Sequence, residues 1–120
     1  MLENVGSNTF TKAERLCGKM AISNLMDKGR WGAASHLKYC YLPSGAEKTR
    51  ILVSVPKRYF KRAVRRNLIK RRIREVYRKN KSLLGDGIYD IMFIYSSPCM
   101  MPYTNVEEDI VYILTKIAAR

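Results

Sequence analysis

The feature that most constrains this chain is a basic segment from Lys57 to Lys81. Thirteen of its twenty-five residues are Lys or Arg and Glu75 is its one acid, whereas the rest of the chain holds ten basic and nine acidic residues. Like charge concentrated in this way opposes compaction, so its retention indicates a polyanionic partner. The 120 residues are 47% hydrophobic, which is enough for the core of one domain.

The basic segment is predicted to be a helix from Tyr59 to Asn80, with one apolar side. At about 100° per residue, a narrow sector collects its apolar side chains, namely Ile69, Ile73, Val76 and Tyr77. The neighbouring sector holds Asn67, Lys70, Arg71, Arg74 and Arg78. A merely solvated helix face mixes both signs of charge, and this one does not. Arginine outnumbers lysine, which favours bidentate contacts with phosphate.

Helical and strand patterns follow one another in a single order along the chain. The predicted elements are a helix from Thr11 that ends near Gly29, strands at about 31–42, 50–55 and 88–95, and a final helix capped by Thr104 or Asn105. Thr11 and Glu14 have the spacing of a capping box. Residues 1–10 are predicted to be a flexible arm, and residues 11–120 a single domain.

Two pairing predictions follow from this order. The strands on either side of Pro43-Ser44-Gly45 are expected to form an antiparallel hairpin, because a short polar loop joins them. The strand–helix–strand succession around the basic helix indicates a crossover, so we expect one sheet with helices packed against it. The final helix is expected to carry Glu107, Glu108 and Asp109 in its first turn, where negative charge suits the helix dipole.

The sequence offers no candidate catalytic or metal-ligating residues. His36 is the only histidine, and Cys17, Cys40 and Cys99 lack the spacing of a metal site, so reduced thiols in a cytoplasmic protein are expected. The acids are scattered, which disfavours a nuclease whose own side chains perform the reaction. A membrane surface would need a broader apolar helix face than this one. Charge alone does not separate DNA from RNA as the partner.

The segment from Ala63 to Arg74 resembles the signature of the bacterial ribonuclease P protein family, an Arg-Asn-Arg motif followed by Ile-Lys-Arg and another Arg one turn later. The matching residues are Arg66, Asn67, Ile69, Lys70, Arg71 and Arg74. Leu68 replaces the second motif arginine, and Arg65 and Arg72 are the candidates to compensate. The stretches Lys12 to Leu16 and Leu52 to Lys57 also resemble the family.

The resemblance implies an α+β fold, an α/β sandwich with a mixed sheet of about four strands, three helices and a left-handed crossover, similar to the second domain of ribosomal protein S5. It implies the protein subunit of ribonuclease P, which assists removal of the 5′ leader from precursor tRNA. The implied partners are the catalytic RNA subunit, which holds most of the Mg²⁺, and precursor tRNA, with no membrane and no DNA. A ribosomal or ribosome-assembly protein is the alternative.

Two groups of site residues come with this resemblance. The expected RNA-binding residues lie on or next to the basic helix and are Arg62, Arg65, Arg66, Asn67, Lys70, Arg71, Arg74 and Arg78. The expected lining of a cleft for the 5′ leader is Ile22, Met26, Lys38, Cys40, Ser54 and Lys57. Ile22 and Met26 lie four residues apart, which is equally typical of a stripe in the hydrophobic core, and the sequence leaves both interpretations open.

Overall fold

Seven helices and strands form the described part of the protein, in a computed structural model that describes Leu16 and residues 18–119. In chain order they are α1 (Lys19–Lys28), β1 (Arg30–Ala33), β2 (Leu37–Pro43), β3 (Arg50–Ser54), α2 (Ala63–Asn80), β4 (Tyr89–Tyr95) and α3 (Tyr103–Ala118). A short 3-10 helix, Lys81–Leu84, follows α2. The predicted α+β class is confirmed. The arm expected at residues 1–10, Thr11, Glu14 and Cys17 lie outside the described residues.

The four strands form one mixed sheet in the order β1-β2-β4-β3. β4 pairs with β2 in antiparallel and with β3 in parallel orientation. The predicted hairpin between β2 and β3 is therefore wrong, since β4 separates them. β4 has Ile91, Met92 and Phe93 buried in succession, and a strand that is apolar on both faces belongs in the middle of a sheet. The hairpin that does form joins β1 and β2.

The crossover predicted around the basic helix is present. β3 leads through α2 and the 3-10 helix into β4, which lies beside β3 and parallel to it. This connection places the basic helix on one face of the sheet, because a crossover helix packs over the strands that it joins. The left hand of the crossover stays a prediction.

Three predicted helix starts are corrected. α1 begins at Lys19, since the N–H of Leu16 bonds to the carbonyl of Ile51 on the outer strand β3 and Gly18 has a φ of 95°. α2 begins at Ala63, because a turn at 57–59 and the extended backbone of Arg62 precede it. α3 begins at Tyr103, directly after Pro102. Its three acids therefore lie beyond the first turn.

Each face of the sheet has its own hydrophobic layer. On one face, α2 and α3 bury the predicted apolar sector of α2 against Leu37, Tyr39 and Tyr41, which alternate along β2 as predicted. On the other face, α1 places Leu25 over Cys40 and Met92. A fully buried aliphatic side chain contributes roughly 1.5–3 kcal/mol. Because α2 buries three aliphatic side chains and one tyrosine, whereas α1 buries Leu25, α2 is held more firmly.

Candidate nucleic-acid interface

The buried stripe of α2 determines which of its side chains reach solvent. Ile69, Ile73, Val76 and Tyr77 face the sheet, so the opposite side of the helix is left to polar residues. The eight residues predicted to bind RNA all keep exposed surface. Arg62, Arg65, Asn67 and Arg71 are exposed, and Arg66, Lys70, Arg74 and Arg78 are partly buried. The structure thus collects the predicted residues along one solvent-facing helix, without showing what they bind.

Arg66, one of the predicted RNA-binding residues, makes structural contacts that the sequence did not reveal. Its Nη1 donates hydrogen bonds of 2.8 Å to the carbonyl oxygens of Phe60 and Lys61. Phe60 is itself buried in the core beside Tyr95, at 5.9 Å between ring centroids. The guanidinium therefore ties the segment before α2 to the first turn of the helix. Both hydrogen bonds have a charged donor and the one to Phe60 is partly buried, so Arg66 also orients the start of the basic surface.

Arg78 is paired within the helix. Its Nε and Nη2 donate to the two carboxylate oxygens of Glu75 at 2.9 Å, in an i,i+3 arrangement. The hydrogen bond from Arg78 holds the pKa of Glu75 below its usual range. A carboxyl group with a lowered pKa stays ionised, and the pair intact, until the pH falls through that value. At neutral pH, Glu75 therefore offsets part of the positive charge at the C-terminal end of α2.

The surroundings of Leu68 distinguish its two candidate substitutes. Arg72 donates from Nη1 to the carbonyl of Met101 at 3.1 Å, which holds it against the segment before α3. The Nη1 of Arg65 lies 3.8 Å from the sulfur of Met100, and its side chain is exposed. Because a thioether is a weak acceptor and a carbonyl a strong one, Arg65 is the more available cation. Leu68 itself is partly buried.

The predicted leader cleft corresponds to the face of the sheet that α1 crosses. The strand register places Lys38, Ile94 and Ser54 side by side in one row across β2, β4 and β3. Ile22 packs beside this face while keeping some exposure, and Met26 is 49% exposed. Ile22 thus contacts the core and also borders the exposed surface, so its place in the leader cleft stays a prediction. Lys38 and Lys57 are exposed.

Cys40 does not line that surface, contrary to the prediction. Its side chain is fully buried under α1, where the thiol donates a hydrogen bond of 3.3 Å to the carbonyl of Leu25. Burial raises the pKa of this thiol, so it stays protonated. The lack of a side chain at Gly29 allows this close contact, since a Cβ there would stand 2.5 Å from the Cys40 sulfur. Cys40 therefore positions the C-terminal end of α1 on the sheet.

Two buried carboxylates, whose roles the sequence did not show, hold the ends of the sheet. Asp90 on β4 accepts two hydrogen bonds from Arg50 on β3, at 2.9 and 2.8 Å. Asp109 on α3 accepts the backbone N–H of His36 at 2.9 Å, just before β2. Cross-strand pairing would have suggested the first bond, but the second requires the three-dimensional position of α3. Asp109 is therefore a structural contact and not a charge at a helix start.

The described residues contain neither a membrane-spanning helix nor a cluster of metal-ligating side chains. None of the helices in residues 18–119 is long and apolar enough to cross a membrane. Within the same part of the chain, His, Cys, Asp and Glu nowhere form a group of three that could hold a metal ion.

The model of the family called Ribonuclease P matches residues 10–118, which is nearly the whole chain. The chain belongs to the ribonuclease P protein family. The ribonuclease P protein component of Petrotoga mobilis is 36% identical over 116 residues, which are 92% of this chain and 97% of that protein. The component of Dictyoglomus thermophilum is 38% identical over 90 residues, which are 75% of this chain and 74% of that protein.

Solved structures of ribonuclease P proteins share this fold. The Staphylococcus aureus protein is 28% identical, has a TM-score of 0.76, and is matched over 89% of this chain and 96% of its own. The Thermotoga maritima protein, at 24% identity and the same TM-score, supports the fold alone, over 87% of this chain and 97% of its own. Membership of the ribonuclease P protein family confirms the resemblance carried by Ala63 to Arg74 and does not favour the ribosomal alternative.

Proposed function

We propose that this chain is the protein subunit of a ribonuclease P, which binds the catalytic RNA through α2 and assists endonucleolytic removal of the 5′ leader from precursor tRNA. The observation that carries the proposal is the position of the family's motif residues. Asn67, Lys70, Arg71 and Arg74 lie on the solvent side of a helix whose other side is fixed in the core. The RNA subunit holds the Mg²⁺ and performs the cleavage, and the protein supplies binding and electrostatics.

The charge of α2 explains how it would bind. Of its eighteen residues, eight are Lys or Arg and one is acidic, and that acid is engaged with Arg78. A basic surface of this kind gains affinity from the counterions released when its side chains replace them on phosphates. The rigid attachment of α2 to the sheet keeps the side chains in place before binding, which lowers the entropy lost on association. The guanidinium groups of the arginines can also form bidentate hydrogen bonds with phosphates.

The opposite face of the sheet supports the second half of the proposal. Lys38 and Lys57 are exposed, Ile22 and Ser54 are partly buried, and Lys38 lies in one row of the sheet with Ser54. This arrangement offers cations for a single strand's backbone, but no aromatic ring among the predicted lining residues for its bases. Stacking on aromatic rings contributes about 1–3 kcal/mol per base in proteins that bind single strands. We therefore propose that the leader is held here mainly through its backbone.

Reconstitution tests the proposed function. The purified chain is added to a transcribed cognate ribonuclease P RNA, and 5′-leader removal from precursor tRNA is followed at low Mg²⁺ concentration. The expected result is a large gain in cleavage over the RNA alone, and no cleavage by the protein without that RNA. The control is the same RNA with an unrelated protein of equal charge. A folded chain that gives no gain with the cognate RNA would contradict the proposal.

A further inference from the structure

A groove between β1 and α3 lies apart from both α2 and the face crossed by α1. Two cavities, of about 530 and 480 Å³, meet in it and share Ala33 and Tyr112 in their walls. Sites for small organic ligands usually measure about 300–1,000 Å³, so either cavity is large enough for a nucleotide. The first cavity is also lined by Arg30, Tyr39 and Lys116.

The floor of the groove is aromatic. The rings of Tyr39 and Tyr41 lie 6.2 Å apart with an interplanar angle of 24°, and both are buried. Gly32 faces Tyr39 across the β1–β2 pair, and a Cβ at Gly32 would stand 2.5 Å from that ring. The absence of a side chain at Gly32 therefore allows the ring to lie against β1. A larger residue there would displace the ring into the groove.

Tyr112 and Trp31 are the exposed aromatic residues in the walls of the groove, which also carry two cations and one exposed carboxylate. Tyr112 is 48% exposed, and the Lys116 ammonium lies 5.8 Å from its ring centroid. Arg30 and Lys116 make the first cavity cationic, whereas Glu108 borders the second cavity on the other side of Tyr112. Glu108, Tyr112 and Lys116 are spaced by four residues and thus share one face of α3. The groove is positive at one end, negative at the other and aromatic between them.

We propose that this groove binds one unpaired nucleotide of an RNA, with the base stacked on Tyr112, the phosphate beside Arg30 and Lys116, and an amino group of the base directed to Glu108. The identification of the ligand as part of an RNA rests on the proposed function, but the chemistry by which the groove would recognise a nucleotide does not. Single-stranded RNA is recognised by stacking of unpaired bases on aromatic side chains and by cations along its backbone. A carboxylate accepts hydrogen bonds from the amino group of cytosine.

The charge pattern favours a nucleotide over a simple anion. A site for phosphate alone would have no use for Glu108, whose carboxylate repels it, or for an exposed ring. Glu108 suits the amino group of cytosine and disfavours uracil, which presents a carbonyl at the same position. The groove therefore combines a ring for the base, a carboxylate for an amino group of that base and two cations for the phosphate, and CMP carries all three groups.

The test is an NMR titration of the full ¹⁵N-labelled chain with CMP, UMP and inorganic phosphate. With CMP we expect shift changes at the amides of Gly32, Ala33 and Tyr112. Tyr112→Ala should weaken CMP binding about tenfold, as expected for the loss of one stacked base. Lys116→Gln should weaken it as well. Lys79→Gln is the matched control, because Lys79 lies over the ring of Tyr103 at 5.6 Å in the same kind of pair, away from the groove.

Each outcome decides part of the proposal. Shift changes confined to α2, or equal changes with inorganic phosphate, would overturn the nucleotide site. Binding of CMP that is unaffected by Tyr112→Ala in a folded variant would overturn it too. Equal affinity for CMP and UMP would remove Glu108 from the site. Because these measurements need no catalytic RNA, they can fail while reconstitution of leader removal succeeds, and the reverse is equally distinguishable.

Discussion

The helices α2 and α1 cover opposite faces of one sheet and do so in contrasting ways. α2 buries four residues and turns an almost wholly basic side to solvent, whereas α1 buries Leu25 alone and leaves Met20 87% and Met26 49% exposed. The first surface offers a dense row of cations, whereas the second combines exposed apolar side chains with separate lysines such as Lys38. The comparison teaches that binding surfaces can be separated by charge on the two sides of a thin sandwich, with the sheet fixing their relative position.

The largest effect is expected when a buried side chain that anchors α2 to the sheet is removed. Ile73→Ala removes a fully buried side chain between α2 and the sheet, so we expect the free energy of unfolding to fall by about 2–5 kcal/mol. Urea denaturation measures it. Met20→Ala on α1 is the control and should change stability by less than about 0.5 kcal/mol, since surface substitutions rarely do more. Similar losses in both variants would show that the two helices are anchored alike.

The second prediction concerns the hydrogen bond between the Cys40 thiol and α1. Cys40→Ser puts a more polar group in a fully buried site, and we expect a loss of about 1–3 kcal/mol in the free energy of unfolding. Cys99→Ser, at an exposed position, should be neutral. Leader removal at a temperature where both variants are folded should be unchanged. A folded Cys40→Ser variant that has lost cleavage would return Cys40 to the leader cleft.

The third prediction sharpens the interpretation of Ile22. Ile22→Phe adds an aromatic ring at the border of the cleft, and one additional stacked base would tighten binding of precursor tRNA by about tenfold. Binding of mature tRNA, which lacks the leader, should not change. Met20→Phe adds the same ring elsewhere on α1 and serves as the control. Equal effects of Ile22→Phe on both tRNAs would remove Ile22 from the leader cleft.

The smallest effect tests the internal pairing on α2. Glu75→Gln removes the single acid of the basic segment and releases Arg78 from its carboxylate partner. We expect binding of the catalytic RNA to tighten by about two- to fivefold at low salt, because one negative charge is removed from the basic surface. Filter binding at two salt concentrations measures this change. Unchanged affinity would mean that Arg78 lies outside the RNA contact.

The sequence predicted α2 better than any other element because two independent signals coincide there. The periodicity of its apolar residues identified the buried sector correctly, and the charge density indicated the partner. The start of α2 was misplaced because a turn at 57–59 contains residues that are equally acceptable in a helix. The hydrogen bonds from Arg66 to Phe60 and Lys61 could not be predicted from the sequence, since no sequence pattern shows which backbone carbonyl a guanidinium group contacts.

The strand pairing shows where sequence reasoning failed. β2 and β3 follow each other in the chain, and proximity suggested a hairpin, yet β4 inserts between them because it is apolar on both faces. That property is visible in the sequence and favours a central position for β4 in the sheet. Cys40 is a different case. Its alternation with Tyr39 and Tyr41 gave the correct face, but only the position of α1 shows that this part of the face is covered.

The measurement that tests the central claim most directly is the salt dependence of binding to ribonuclease P RNA. Lys70→Gln with Arg71→Gln removes two charges from α2, and Lys28→Gln with Lys48→Gln removes two from elsewhere. Glutamine keeps the helix propensity. We predict that the α2 pair weakens binding and reduces the slope of log affinity against log salt by about two, while the control pair has little effect. An unchanged slope in the folded α2 variant would contradict the assignment of α2 as the RNA interface.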